Sequence, residues 1–342
     1  MPKKFFKRAA GFAAVSGAAY LALGHIAYSQ FFTRKAAGRN MNSLPDSDIL
    51  EGRPRLADAM KRGPVDDFFY KNSGMDGFFA NPHFPVFQEG VRWYLEKGAE
   101  RAAIDSPLGG RTHADVFRNE EPSGVWVICL HGYTSCPRDC GEAAKVFYEW
   151  GYNVLLPYLG GHGRSENPAV SMGWLDRFDV VAWINHIINE NQNAKIILYG
   201  ASMGGAAVMM TTGEALPENV VCAVEDCGYT SFWDEYACQA KAMLSIPAFP
   251  ALYALDTAVR MRQGYSMKDA SCVEQVKKSK TPTLFIHGEA DEIVPFEMFG
   301  KIYEAAACEK EKITFPGASH GGSSDNTEEY YGAVRSFIDK YL

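Results

Sequence analysis

Short apolar runs alternate with segments of helical periodicity along most of the chain after residue 85. Continuous apolar runs of this length are typical of strands buried on both faces of a parallel sheet. They predict strands at 116–117, 125–130, 153–156, 195–199, 220–224, 283–286 and 313–315. Helical patterns are predicted over 86–97, 137–150, 178–188 and 328–341. Repeated strand–helix units require a mainly parallel sheet with helices on both faces, so we predict an α/β fold.

The N-terminal pattern is different, because an uncharged run from Ala9 to Phe32 follows a basic start. Lys3, Lys4, Lys7 and Arg8 precede the run, and 33–35 closes it with two more basic residues. As a helix, 24 residues would be long enough to cross a bilayer core with some tilt.

We therefore predict that residues 1–35 form a membrane anchor or signal segment, with the span at 9–32. An uncleaved signal anchor, with the main domain outside the cytoplasm, is favoured. A cleaved signal, which would make the protein secreted, and a soluble amphipathic arm stay as alternatives.

Residues 36–84 are irregular and rich in Gly and Pro, yet Phe68, Phe69, Phe78 and Phe79 are too apolar for a free linker. We predict an embellishment that packs on the main domain, which spans 85–342.

Composition narrows the class of protein. Hydrophobic residues make up 47% and charged residues 22%, which fits a globular protein with a sizeable core. The net charge of −7 argues against nucleic-acid binding driven by phosphate contacts. Eight cysteines show no zinc-ligand spacing, so free or structural thiols are favoured over a metal site. We expect no metal and no organic cofactor. A disulfide is an option only if the domain is extracellular, and its pairing does not follow from the sequence.

Residues 200–204 read Gly-Ala-Ser-Met-Gly and lie between a predicted strand and a small-residue helix start. This context makes Ser202 a candidate nucleophile on a tight strand-to-helix turn. Glycine is needed there because larger side chains would clash with the neighbouring strand and helix. The amide of Met203 opens the helix and could donate to a developing negative charge. A second donor is the amide of Tyr133, in the His-Gly-Tyr-Thr-Ser loop after the strand 125–130.

The candidate base and acid follow the last two strands. His320 lies in a loop of small residues after 313–315, and Asp291 lies in the loop after 283–286. The order Ser, Asp, His is the one expected when the nucleophile sits on such a turn. Four other carboxylates compete with Asp291: Asp226, Glu225, Glu289 and Glu292. His162 is a minor rival of His320 and is interpreted as structural.

Together these motifs resemble the α/β-hydrolase family over residues 105–342. The matching segments are 131–135, 160–165, 200–205, 287–295 and 317–321. Within the family the chain looks like the serine-aminopeptidase-type and lysophospholipase-like branch, especially bacterial membrane-anchored members. The resemblance implies an eight-stranded, mostly parallel sheet flanked by helices, and a triad of Ser202, Asp291 and His320. It also implies oxyanion donors at Tyr133 and Met203, and a helical cap at about 229–280 between strands six and seven.

The expected function is a serine hydrolase that cleaves carboxylic esters through an acyl-enzyme. Apolar residues of the cap favour acyl or lipid-like substrates, so the expected partners are a small-molecule ester and a membrane. A serine peptidase of aminopeptidase type and an acyltransferase could use the same triad. A catalytically idle, membrane-tethered binding scaffold is the remote alternative.

Overall fold

A computed structural model of the protein describes residues 2–34, 45–51, 81–121, 123–244 and 249–342. Eight strands form one sheet in the order β1-β2-β4-β3-β5-β6-β7-β8. The strands are β1 (Glu100–Asp105), β2 (Arg111–Phe117), β3 (Val125–Leu130), β4 (Asn153–Pro157), β5 (Lys195–Ala201), β6 (Val220–Asp226), β7 (Thr283–Gly288) and β8 (Lys310–Phe315). Strands β3 to β8 run parallel, and the β1–β2 hairpin joins the β4 edge antiparallel.

Helices cover both faces of the sheet. In the part of the chain that the structure describes, the α-helices are α1 (Pro2–Phe31), α2 (Asp46–Leu50), α3 (Phe84–Lys97), α4 (Gly141–Glu149), α5 (Asp176–Glu190), α6 (Met203–Thr212), α7 (Phe232–Leu244), α8 (Ala251–Gln263), α9 (Cys272–Val276), α10 (Phe296–Ala305) and α11 (Thr327–Ile338). Short 3₁₀ turns precede α4 and α11 at Pro137–Cys140 and Gly322–Asp325. The predicted α/β-hydrolase fold is confirmed.

The parallel strands explain where the functional loops meet. Leu130 pairs with Gly200, and Gly200 pairs with Glu225, so β3, β5 and β6 end at one level of the sheet. Gly288 of β7 pairs with Phe315 of β8 at the same edge. Because ligands bind beyond the carboxyl ends of strands in such sheets, the loops after these five strands frame the candidate site.

The predicted elements have observed counterparts, but helix α10 was not predicted, and two further differences concern β1 and the start of α4. Strand β1 was not predicted, because its residues are mostly exposed or half-buried and carry neither an apolar run nor a clean alternation. The helix predicted from Pro137 begins as a 3₁₀ turn and becomes α-helical only at Gly141.

The predicted cap lies between β6 and β7, as expected. It consists of α7, α8 and α9, and its base is closed by a bridge between Ser231 and Ser271. The amide of Phe232 also donates to the carbonyl of Ala270 at 2.9 Å. These two contacts therefore connect the start of α7 to the segment that precedes α9, at the base of the cap.

The predicted transmembrane helix over residues 9–32 is not supported. Among the helices of the described residues, none combines the length and apolarity that crossing a bilayer requires. Ala and Gly are frequent in the run, and His25 and Gln30 interrupt it, so its mean hydropathy stays moderate. Instead the second half of α1 packs along α8 of the cap. A Cβ at Gly24 would collide with the backbone of Ala254, so glycine permits the close crossing of the two helices.

The end of α1 belongs to the core of the hydrolase domain. Tyr28 and Phe32 are both buried, and Phe32 is fully inaccessible to solvent. Beyond the helix, Thr33 forms a bridge with Ala169, and the Arg34 guanidinium donates to the carbonyls at 163, 165 and 167. This segment is therefore fastened to the loop that follows β4.

Most of the predicted embellishment, at 36–44 and 52–80, lies outside the described residues, as do Phe68, Phe69, Phe78 and Phe79. Its described residues are 45–51 and 81–84, and they include α2, whose Ile49 is buried against α3. Gln88 of α3 donates to the carbonyl of Ile49 at 2.7 Å, and Arg138 pairs with Asp46 at 2.5 Å.

Candidate active site

Ser202 occupies a strained turn between β5 and α6. Its φ of 57° and ψ of −121° lie in a region that side chains rarely adopt, and its amide donates to the carbonyl of Asp226 at 2.8 Å. The flanking glycines make this turn sterically feasible. A Cβ at Gly200 would clash with the backbone of Gly204, and a Cβ at Gly204 would collide with the carbonyl of Leu130. The turn presents the Ser202 side chain at the carboxyl edge of the sheet.

The structure brings the three predicted side chains together. His320 Nε2 lies 2.9 Å from Ser202 Oγ, and His320 Nδ1 lies 2.7 Å from Asp291 Oδ2. The Asp291 side chain is fully buried, whereas the His320 side chain is 18% exposed. This geometry lets the carboxylate hold the Nδ1–H tautomer, so that Nε2 faces the hydroxyl as a proton acceptor.

Further bonds fix the Asp291 carboxylate. Its Oδ1 accepts the amides of Ile293 at 2.9 Å and Val294 at 2.8 Å, and His287 Nε2 lies 3.4 Å from Oδ2. Burial alone would raise the pKa of Asp291, but the bonds from His287, His320 and Val294 outweigh it and lower the pKa. The group is therefore ionised at neutral pH, as an orienting carboxylate must be.

The competing carboxylates have other partners. Asp226 accepts the Ser323 hydroxyl at 3.1 Å, and Glu225 accepts the Gly228 amide at 3.1 Å. Burial raises the pKa of both, that of Glu225 to about 8. Glu289 accepts the Thr314 hydroxyl at 2.8 Å, and Glu292 is exposed. None of these hydrogen bonds reaches His320, so the geometry favours Asp291.

The predicted oxyanion donors flank Ser202. Met203 is the first residue of α6, and first-turn amides have no partner within a helix. Tyr133 follows Gly132, where an added Cβ would lie 3.8 Å from the Ser202 Cβ, so this loop passes close to the nucleophile. The role of both amides in charge stabilisation stays a prediction.

Two buried histidines hold the Tyr133 loop. His162 Nε2 accepts the Thr134 amide at 3.1 Å and its Nδ1 donates to the carbonyl of Gly160 at 2.8 Å. His131 Nε2 accepts the Leu159 amide at 3.2 Å. Burial lowers the pKa of His131 to about 3 and that of His162 to about 4, so both rings are neutral. With both nitrogens bonded to backbone, His162 is not placed to act as the base.

The first turns of α7 lie near the triad. Glu235 is buried, and its carboxyl interacts electrostatically with His320 and Asp291. The next residue, Tyr236, packs edge-on against Phe31 at 5.7 Å between ring centroids. The Tyr133 hydroxyl donates to the Phe31 carbonyl at 2.7 Å. The end of α1, the cap and the loop that carries a predicted oxyanion donor therefore contact one another.

A thiol also lies beside the triad. The ligand atoms of Cys227, Asp291 and His320 are all within 4.8 Å of one another. Burial raises the pKa of Cys227 well above its usual value, which keeps the thiol protonated and makes it a poor metal ligand. Asp291 and His320 are already bonded to each other. All eight cysteines of the chain are free thiols.

Three features of the site did not emerge from the sequence. His287 contacts the Asp291 carboxylate, and its position at the end of a predicted strand was an available signal. His131 and His162 fasten the Tyr133 loop, but only three-dimensional contacts reveal that role. Glu235 has no sequence signal, because a single acid on an amphipathic helix is normally exposed.

Comparison with known proteins places this geometry in a family. Residues 143–342, which include Ser202, Asp291 and His320, match the model of the prolyl oligopeptidase family. The chain belongs to the prolyl oligopeptidase family. It is accordingly a serine hydrolase. The finer resemblance to the serine-aminopeptidase-type and lysophospholipase-like branch is not confirmed. The turn and the triad that these motifs form are common to hydrolases of this fold. The motifs therefore do not distinguish one branch of the α/β-hydrolases from another.

The chain is also similar to individual proteins and solved structures. The chain is 25% identical over 215 residues to the uncharacterized protein YqkD of Bacillus subtilis, covering 62% of this chain and 70% of that protein. An esterase of Pyrococcus furiosus superposes with a TM-score of 0.59 at 20% identity, covering 74% of this chain and 94% of the esterase. An acylaminoacyl peptidase of Pyrococcus horikoshii superposes with a TM-score of 0.54 at 16% identity, covering 72% of this chain and 42% of the peptidase. These two likenesses concern the fold.

Proposed function

We propose that the protein hydrolyses carboxylic esters through an acyl-enzyme formed on Ser202. The observation that carries the proposal is the hydrogen-bonded series from Ser202 through His320 to the ionised Asp291. His320 Nε2 accepts the hydroxyl proton while Ser202 Oγ attacks the ester carbonyl. The protonated ring then gives that proton to the departing alcohol, which leaves the acyl group on the serine.

The second half of the reaction uses the same groups. His320 removes a proton from water, the resulting hydroxide attacks the acyl carbonyl, and the proton returns to Ser202 as the acid departs. In both halves a negative charge develops on the carbonyl oxygen. We assign its stabilisation to the amides of Tyr133 and Met203, which flank Ser202.

The cap limits the substrate. Apolar cap residues suggested a lipid-like acyl group, but several of them pack within the protein. Phe232 and Tyr236 contact the ring of Phe32, with centroids 5.0 Å and 4.9 Å away. Leu252 and Leu255 are buried in the same core. These side chains therefore do not support a long acyl chain, and we propose esters with short acyl groups.

A serine peptidase is the second candidate, and membership of the prolyl oligopeptidase family favours it. Amide and ester cleavage share the same acyl-enzyme, and they differ in the leaving group that His320 must protonate. An idle scaffold is disfavoured by the complete triad geometry.

The test compares p-nitrophenyl acetate with alanine p-nitroanilide, using the full chain because α1 is part of the core. We expect ester hydrolysis by the wild type and a fall in kcat of about 10⁶-fold, to background, in Ser202→Ala. Ser336→Ala changes an exposed serine on α11 and should behave as wild type. Equal turnover by Ser202→Ala would refute the proposal. Faster cleavage of the anilide would favour the peptidase, and product only with an added alcohol would indicate an acyltransferase.

For location, we propose attachment at a membrane surface. Four basic residues begin α1, and apolar side chains are exposed on α1 and α8, with Ile26 and Met261 each 62% accessible. A basic helix with exposed apolar residues favours an anionic lipid surface. Co-sedimentation with anionic vesicles tests this attachment. Equal recovery of the protein in the pellet with and without vesicles would contradict it. The extracytoplasmic location of the domain stays a prediction.

A further inference from the structure

Glu235, in the first turn of α7, has an unsatisfied carboxyl oxygen. The residue is 6% exposed, and its Oε2 is buried without a hydrogen-bond partner among the described residues. Its Oε1 accepts the side-chain amide of Gln239 at 3.2 Å. Burying a carboxyl oxygen without a donor is costly, so such an atom in a native fold calls for a ligand or a function.

The hydrogen bonds around Glu235 place it beside the triad. Gln239 Nε2 also donates to the carbonyl of Ile293 at 2.7 Å, and the Ile293 amide donates to Asp291 Oδ1 at 2.9 Å. Glu235 is thus connected through one side chain to the loop that carries Asp291. Its carboxyl also interacts electrostatically with the ring of His320.

The local charges define the ligand that would satisfy this oxygen. Glu235 and Asp291 place two carboxyl groups near the ring of His320, so a cation is the kind of ligand that this pair would attract. Burial raises the pKa of Glu235 to about 7, and a bound cation would lower it again and keep the carboxylate ionised. An ammonium group supplies both the missing donor and the opposite charge, whereas an uncharged acyl group supplies neither.

We propose that Glu235 binds a protonated amine of the substrate, so that the site takes aminoacyl esters or amides in preference to uncharged acyl ones. This rests on the proposed hydrolysis at Ser202 and names its substrate class. Oε2 accepts a hydrogen bond from the substrate ammonium, while Gln239 holds Oε1 and fixes the carboxyl toward the triad. Binding the ammonium close to the reacting carbonyl orients that carbonyl for attack.

The test uses two esters that differ by a single group, benzyl L-alaninate and benzyl propionate, assayed at pH 7, where most of the α-amine is protonated. We expect the wild type to show at least about a tenfold higher kcat/KM on the alaninate. Glu235→Gln keeps the size of the side chain and an oxygen for Gln239 but loses the charge. It should lower kcat/KM on the alaninate about 10- to 100-fold more than on the propionate, the value of a charged hydrogen bond, because only the alaninate carries the ammonium group.

Glu297→Gln is the matched control, since it removes the same charge from an exposed position on α10 and should alter neither ester. Glu235→Asp retains the charge and should restore part of the preference. Equal cleavage of both esters by the wild type, or an equal loss on both in Glu235→Gln, would overturn the inference and leave Ser202 hydrolysis intact. If the wild type cleaves neither ester, the proposed function itself fails.

Discussion

Truncating Phe32 tests whether the end of α1 is part of the hydrolase core. The Phe32 side chain is fully buried, and its ring lies 5.0 Å from Phe232, 4.9 Å from Tyr236 and 5.8 Å from Tyr28. Phe32→Ala removes a whole aromatic ring from this cluster. Because the surrounding helices can only partly collapse into the cavity, we expect the free energy of unfolding to fall by about 3–5 kcal/mol.

Urea unfolding of the full chain, followed by fluorescence and circular dichroism, measures this change. Phe249→Ala is the control, because it removes the same ring from a cap position that is 70% exposed. We expect the control to alter the unfolding free energy by less than about 0.5 kcal/mol. A loss below about 1 kcal/mol for Phe32→Ala, similar to the control, would refute the placement of this segment in the core.

Three further changes test individual parts of the site. Asp291→Asn should lower kcat by about 10⁴-fold with little change in KM, because the ring of His320 loses its correct tautomer; an unchanged kcat would point to another acid. His162→Phe removes the acceptor of the Thr134 amide. The factor by which it lowers kcat should be about 10 to 100 times larger than the factor by which it raises KM, because a shifted oxyanion loop weakens binding of the transition state more than binding of the substrate. Equal changes in kcat and KM would contradict this role. Glu225 should make the unfolding free energy fall as the pH rises from about 4.5 to about 8, because the unfolded chain ionises while the folded one keeps its proton. Glu225→Gln should remove that slope in urea titrations at pH 5 and pH 8, and an unaltered slope would show that Glu225 is not its source.

The sequence was most informative where local chemistry and topology agree. The buried strands β3 and β7 were predicted from their apolar runs, and the order of parallel strands then required their loops to meet at one edge. Gly200 and Gly204 marked the turn at Ser202 because nothing larger fits between β5, α6 and β3. For these parts, short-range patterns were sufficient.

The sequence was least informative where distant segments meet. The uncharged run that contains Tyr28 and Phe32 has a similar pattern whether it faces lipid, solvent or the cap, and only the contacts with α7 and α8 decide. Glu235 was missed for the same reason, since its burial depends on how α7 lies over Asp291 and His320. Long-range packing of this kind leaves no periodic signal along the chain.

The central claim, that Ser202 is an activated nucleophile, is tested most directly by labelling the full chain with a fluorophosphonate and mapping the adduct by peptide mass spectrometry. The account predicts one adduct per chain on Ser202, absent in Ser202→Ala and formed far more slowly in His320→Ala. An unlabelled wild-type protein, or an adduct on another residue, would contradict it.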